Sequence, residues 1–408
     1  MNGQRSIWET DGKALRIGVL TVSAYIASYV MRNVLTVVSP FMLSDGYVKE
    51  YLAALSSVYM LSYAVGQFFG GFVGDMVRPK GMVITGFFSA ALGAFVFTLL
   101  PQGIGQKLCF VFIGAGLSLL RGPLMKVITE NTALDSSRLI CVFFSATTFV
   151  GPLIVSLASL LLAWRGVFVF AALYVSATAV ITLAGLSVLE KNYGVSVSLC
   201  RSTDLADVLS VFRIEGLGYC LVFACLVEMS VSSVSYWLPT LFSEYVGCGE
   251  TLSGIIFSVL TLLRAVMELA TLFIYRLIGE KDEVLIRGAS VFSALGLVFA
   301  LLAPVGVCTV IGLLAALLGF TCSAAMLWSI YIPTMGATGR MSAINGVVDC
   351  SGYAAAALAT SLFALVLKNT GWEGLIASWL FIPAAAFITN IIFVRKRSGR
   401  NAFIRREL

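Results

Sequence analysis

Histidine is absent from all 408 residues, so no His-based metal site, catalytic triad or proton relay is available. Charge is scarce: Asp, Glu, Lys and Arg make up 12% of the chain, too little to cover the surface of a soluble protein this long. The nine cysteines include no CxxC pair and mostly lie inside apolar runs, where a thiol serves as a small buried hydrophobe. A basic stripe is also missing. The formal charge of +6 is spread between apolar runs, which argues against a nucleic-acid partner. Phosphate-cradling loops are not evident: Gly114-Ala115-Gly116 lies in an apolar stretch and reads as helix packing. No segment suggests a catalytic site, so neither an enzyme nor a cofactor is expected. A cleavable signal peptide is not expected either, because Met1 to Lys13 is polar and the first apolar run is too long for an h-region.

What remains is apolar. Hydrophobic residues make up 59% of the chain and the mean hydropathy is +0.97, which places the protein in a membrane. A span needs about 20 mostly apolar residues. Twelve such stretches are expected, at roughly 15–42, 50–74, 82–101, 107–129, 139–163, 166–189, 215–240, 251–277, 284–303, 306–333, 342–367 and 374–394. With the N-terminus inside, the inner segments hold 19 of the 27 Lys and Arg and the outer segments hold Lys49, Lys107, Arg165 and Lys368. The positive-inside rule then puts both termini in the cytoplasm. The polar connection 190–214, with Ser196, Ser198, Ser202, Asp204 and Asp207, separates an N-terminal bundle (1–189) from a C-terminal one (215–408). Two parallel six-helix halves around a midplane site describe the major facilitator architecture. The expectation is an all-α membrane protein of twelve transmembrane helices, monomeric, in a bacterial inner membrane.

Arg32 lies near the middle of the first span. A guanidinium there stays charged and needs a partner or a wet cavity. Tyr25 and Tyr29 fall seven and three residues upstream, on the same helical face. The arrangement suggests a cationic, tyrosine-lined solute site. Arg264 and Glu268 lie four apart on span eight and share a face, as a neutralising pair or with Arg264 as a second site cation. Arg121 on span four precedes Gly122-Pro123 and is expected to pair for stability. Lys126 and Glu130 read as snorkelling toward the membrane edge. Glu228, Asp349 and Glu268 are the candidates for proton coupling, since a carboxylate within a span exchanges protons as its surroundings alternate. The cluster Arg395 to Arg406 is suited to rest on anionic lipid.

The string Gly70-Gly71-Phe72-Val73-Gly74-Asp75-Met76-Val77-Arg78-Pro79-Lys80 resembles the cytoplasmic signature of the major facilitator superfamily. In that reading Asp75 caps a helix end and pairs with a cation, and Asp75 and Arg78 belong to an inner gate. The matching loop of the second half, Tyr275 to Arg287, has lost most of the pattern. Tyr25-Ile26-Ala27-Ser28-Tyr29-Val30-Met31-Arg32-Asn33, followed by Tyr63-Ala64-Val65-Gly66-Gln67, is similar to the organophosphate:phosphate antiporter branch and its organic-anion relatives. Gly151-Pro152, Trp164-Arg165-Gly166 and Gly371-Trp372-Glu373-Gly374 resemble that branch's loop landmarks. The resemblance implies that Arg32 binds the anionic group of a solute, with Tyr25, Tyr29, Tyr63 and Gln67 around it.

Three departures count against phosphate. The branch's span-seven arginine falls near Val231, with Glu228 the nearest charge; its span-two lysine is Gln67; its span-five histidine falls near Thr148. A monocarboxylate, a zwitterion or a polyol fits better than a doubly charged phosphate. A multidrug exporter, a proton-coupled sugar or nucleoside importer and a transporter-like sensor remain as alternatives.

Overall fold

A computed structural model describes residues 12–199, 210–248 and 250–407. Arg5, Arg201, Ser202, Asp204 and Asp207 lie outside the described residues, as do the side chains of Arg395 to Arg406. Among the described residues every regular element is helical. The first half comprises α1 (Gly12–Ser44), α2 (Lys49–Met76), α3 (Pro79–Leu99), α4 (Ile104–Ser118), α5 (Arg121–Asn131), α6 (Leu134–Ser159) and α7 (Trp164–Tyr193). The second comprises α8 (Leu217–Glu244), α9 (Glu250–Leu277), α10 (Asp282–Leu302), α11 (Val307–Ala325), α12 (Met341–Trp379) and α13 (Phe381–Glu407).

Among the described residues ten segments are long and apolar enough to cross a membrane. The last of them, Met341–Val394, breaks at Gly371, whose φ of 71° leaves the helical region, and so holds two spans. α2, 28 residues long, completes the expected twelve.

Two spans differ from expectation in form. Span four is not continuous: Leu119 and Leu120 make tightened i→i−3 bonds to Gly116 and Leu117 before α5 begins. Pro123 has no N–H for the carbonyl of Leu119 and its ring crowds that group, which breaks the ladder there. Span ten leaves α-geometry after Ala325, passing through a π turn (Met326–Tyr331) and a 3-10 stretch (Ile332–Thr338). Pro333 lies in the latter and deprives the carbonyl four residues earlier in the same way.

The chain forms two compact units, Met1–Arg213 with Ile332–Cys350, and Ile214–Tyr331 with Ser351–Leu408. This differs from a division at the 190–214 loop in one segment: residues 332–350 pack with the first unit. Within each unit the same pairings recur. α3 packs on α4 and α7 as α10 packs on α11 and α13; α2 packs on α4 as α9 packs on α11; α1 packs on α7 as α8 packs on α13.

The register recurs too. A Cβ at Gly93 would meet the backbone of Cys109 and Ile113, and one at Gly296 the backbone of Gly312 and Ala316. Gly116 abuts Gly86 and Ala90 as Gly319 abuts Ala289 and Ser293. One constant shift in numbering relates all these positions, as expected where small residues let helix backbones approach closely. α2 and α9 have the same 28-residue length.

Candidate solute-binding and gating sites

In the first unit α1 and α2 bring together the residues expected to bind solute. The Arg32 guanidinium lies 5.5 Å from the Tyr29 ring centroid and 5.1 Å from that of Tyr63. Cation–π contacts of this kind contribute about 0.5–2 kcal/mol each, more as water is excluded. Tyr63 is buried and accepts a 2.7 Å hydrogen bond from Gln67 Nε2. Tyr25 stacks on Phe144 of α6 at 3.7 Å and meets Tyr29 edge-on at 5.3 Å. Gly151 explains how α6 comes so near: any side chain there would collide with the Tyr29 backbone. All five expected residues of this cluster thus share one region.

Beside them lies an ion pair that the sequence did not connect. Arg121 Nη1 donates to Asp349 Oδ1 at 2.9 Å, and Asp349 is almost wholly buried. Tyr25, Tyr29 and Tyr63 are near enough to this pair to interact with it electrostatically. Asp349, a proton-coupling candidate, is thereby held by a bidentate-capable cation at close range.

Asp75, one of the two residues expected at an inner gate, is the centre of a second cluster. Asp75 is buried, and its carboxylate accepts from Lys126 Nζ at 2.9 Å and from the backbone N–H groups of Ser342 and Ala343 at 3.1 Å each. Those amides open α12, where the helix presents N–H groups without intrahelical partners and a partial positive charge. The carboxylate therefore caps α12 while neutralising a lysine. Arg78, by contrast, is exposed and starts α3 through its backbone; it is not the partner of Asp75.

Lys126 does not snorkel. Its side chain is 0% exposed, and Asp75 at 2.9 Å with Glu130 at 4.0 Å offsets the cost of burying its charge. Glu130 does not snorkel either: it accepts from the Ser198 N–H at 2.6 Å and the Ser198 hydroxyl at 2.8 Å. Asn131 adds two bonds to the backbone of Ser196. The start of the inter-half loop is strapped to α5.

In the second unit Arg264 donates from Nη1 to Ser235 at 3.0 Å and from Nε to Thr321 at 3.3 Å. Among the described residues it forms no ion pair with Glu268. Glu268 is buried, and its Oε2 has no hydrogen-bond partner. The neutralising pair expected from i,i+4 spacing is open. Glu228 of α8 is near enough to act electrostatically on both residues. Gly352 makes room for it, since a side chain there would meet Glu228 Cγ.

Long apolar helices in two internally repeated units, with charges held inside them, define a membrane carrier. The chain belongs to the Major Facilitator Superfamily, whose family model matches residues 21–360; its function is secondary transport. Solved structures share the fold. The E. coli fucose:proton symporter FucP matches at 15% identity and a TM-score of 0.68, over 93% of this chain and 98% of that one. The human organic anion transporter MFSD10 matches at 12% identity and 0.72, over 92% and 99%. A bacterial homologue of the iron transporter ferroportin matches at 16% identity and 0.73, over 93% and 99%. No curated protein matches the chain in sequence.

Proposed function

We propose that the protein carries a small organic anion or a zwitterion by alternating access, with Arg32 holding the solute's negative group. The observation that carries this reading is the Arg32 guanidinium set against the rings of Tyr29 and Tyr63 inside a membrane helix. Aromatic rings position a guanidinium through its faces, whereas carboxylates engage its N–H edge. The resemblance of residues 20–80 to the organic-anion branch supports the same assignment. The absence of a basic residue near Val231 and at Gln67 favours a singly charged group over phosphate. Two cations within the spans, Arg32 and Arg264, count against a multidrug exporter of apolar cations. The proposed setting is a bacterial inner membrane with both termini inside.

Binding of a panel of small acids and amino acids to the purified protein, read as thermal stabilisation, tests the proposal. Arg32→Lys keeps the charge and loses the planar fork; Arg32→Ala loses both. Losing one charge-assisted contact in a partly dry site costs roughly 2–3 kcal/mol, about 30- to 150-fold in affinity. Wild-type affinity in Arg32→Ala removes this residue from the site.

A further inference from the structure

α2 and α9 each carry a polar i,i+4 pair, and the two pairs behave in opposite ways. In α2, Gln67 donates to Tyr63 four residues earlier, and this i,i+4 contact is neutral and closed. In α9 the i,i+4 pair is Arg264 and Glu268. They are of opposite charge and correctly spaced to close as an ion pair, yet Arg264 is bonded to the hydroxyls of Ser235 and Thr321. Glu268 is left 8% exposed with Oε2 unpartnered. An ionised carboxylate in that state carries a heavy desolvation penalty, and a protonated one does not. The charged groups acting on Glu268 are Arg264 on its own helix and Glu228 on α8.

We infer that Glu268 is the proton-carrying group of the transporter and that Arg264 is the switch that discharges it. In the arrangement described, Oε2 holds one proton taken from water and the side chain is neutral. When Arg264 leaves Ser235 and Thr321 and turns one helical turn toward Glu268, the ion pair forms and the proton returns to water. Net charge then changes by one on the carboxylate alone. Asp349 and Asp75 do not serve, because each is already fixed by a cation at 2.9 Å. This deepens the reading of the protein as an alternating-access carrier by adding proton coupling to it, and its test needs no solute. A failure at Glu268 therefore leaves the Arg32 assignment standing, and a failure at Arg32 leaves this one.

The probe is the proton itself. Infrared difference spectra of the full chain in lipid, recorded from acid to alkaline buffer, report the carbonyl band of protonated carboxylic acids. The expected result is a titrating band in the wild type, lost in Glu268→Gln, kept in Glu228→Gln and kept but displaced in Glu268→Asp, which guards against a misfolded Gln variant. Arg264→Gln should move the loss of the band to more alkaline buffer, since the discharging cation is gone. An unchanged band in Glu268→Gln, or no shift in Arg264→Gln, overturns the inference. Loss of the wild-type band when sodium chloride replaces choline chloride at fixed pH also overturns it, by assigning the site to sodium.

Discussion

Replacing Asp75 with Asn isolates the energetics of the capped lysine. The carboxylate meets one ammonium and two backbone amides, and both partners of the ion pair are essentially inaccessible to water, at 0% and 1% exposure. Asn retains one oxygen for the α12 amides but no charge, so the nearest counter-charge left to Lys126 is Glu130, 4.0 Å away. Breaking a buried pair from one side costs about 3–5 kcal/mol, far more than the pair contributes relative to an apolar substitute. The companion change Lys126→Met removes the stranded charge. The double variant should then lose only about 1 kcal/mol, the value of a net hydrogen bond. Intrinsic-fluorescence melting of the four proteins in the same detergent reads the cycle. Asp75→Asn should melt far below wild type, and the double variant should recover most of the difference. A double variant that melts below both single variants, or an Asp75→Asn protein that melts like wild type, refutes the reasoning.

Two further outcomes follow from the first unit. Arg121→Ala should depress the melting temperature strongly by stranding Asp349, and the exchanged pair Arg121→Asp with Asp349→Arg should restore part of it; an exchange no better than the single change would mean that the pair does not act as a pair. A single cysteine at Ser198 in a cysteine-free background should react with membrane-impermeant thiol reagents only from inside, and one at Gly247 only from outside; labelling of Ser198 from outside would reverse the proposed orientation.

The spans and the tyrosine-lined cation were legible because both rest on local signals. Apolar length marks a membrane helix, and i,i+3 and i,i+7 spacing places Tyr25, Tyr29 and Arg32 on one face whatever surrounds them. The string ending in Gly74-Asp75 likewise pointed to a cap, through its resemblance to the superfamily's cytoplasmic signature. What stayed hidden was every partner far away in sequence. Lys126 has the composition and position of a snorkelling residue, and only the return of residues 332–350 to the first unit, with α12 opening over Asp75, turns its surroundings dry. Arg121 and Asp349 are 228 residues apart, and nothing periodic joins them. Arg264 and Glu268 misled in the reverse sense: spacing foretold a closed pair, but the hydroxyls of Ser235 and Thr321, supplied by two other helices, hold the arginine away.

The meeting of α2 with α12 has a mechanical meaning. Gly71 and Gly346 touch there, and a Cβ on either would press into the other's Cα at under 3 Å. Interlocked side chains must change rotamer before two helices part, and each such step adds a barrier. Cα hydrogens have no rotamers. The surface that Gly71 and Gly346 share behaves as a bearing rather than a joint: it fixes how near the helices come, resists compression, and slides or separates without anything having to unlock. What holds the two helices together at this point is the Asp75 carboxylate, bonded to the amides that open α12.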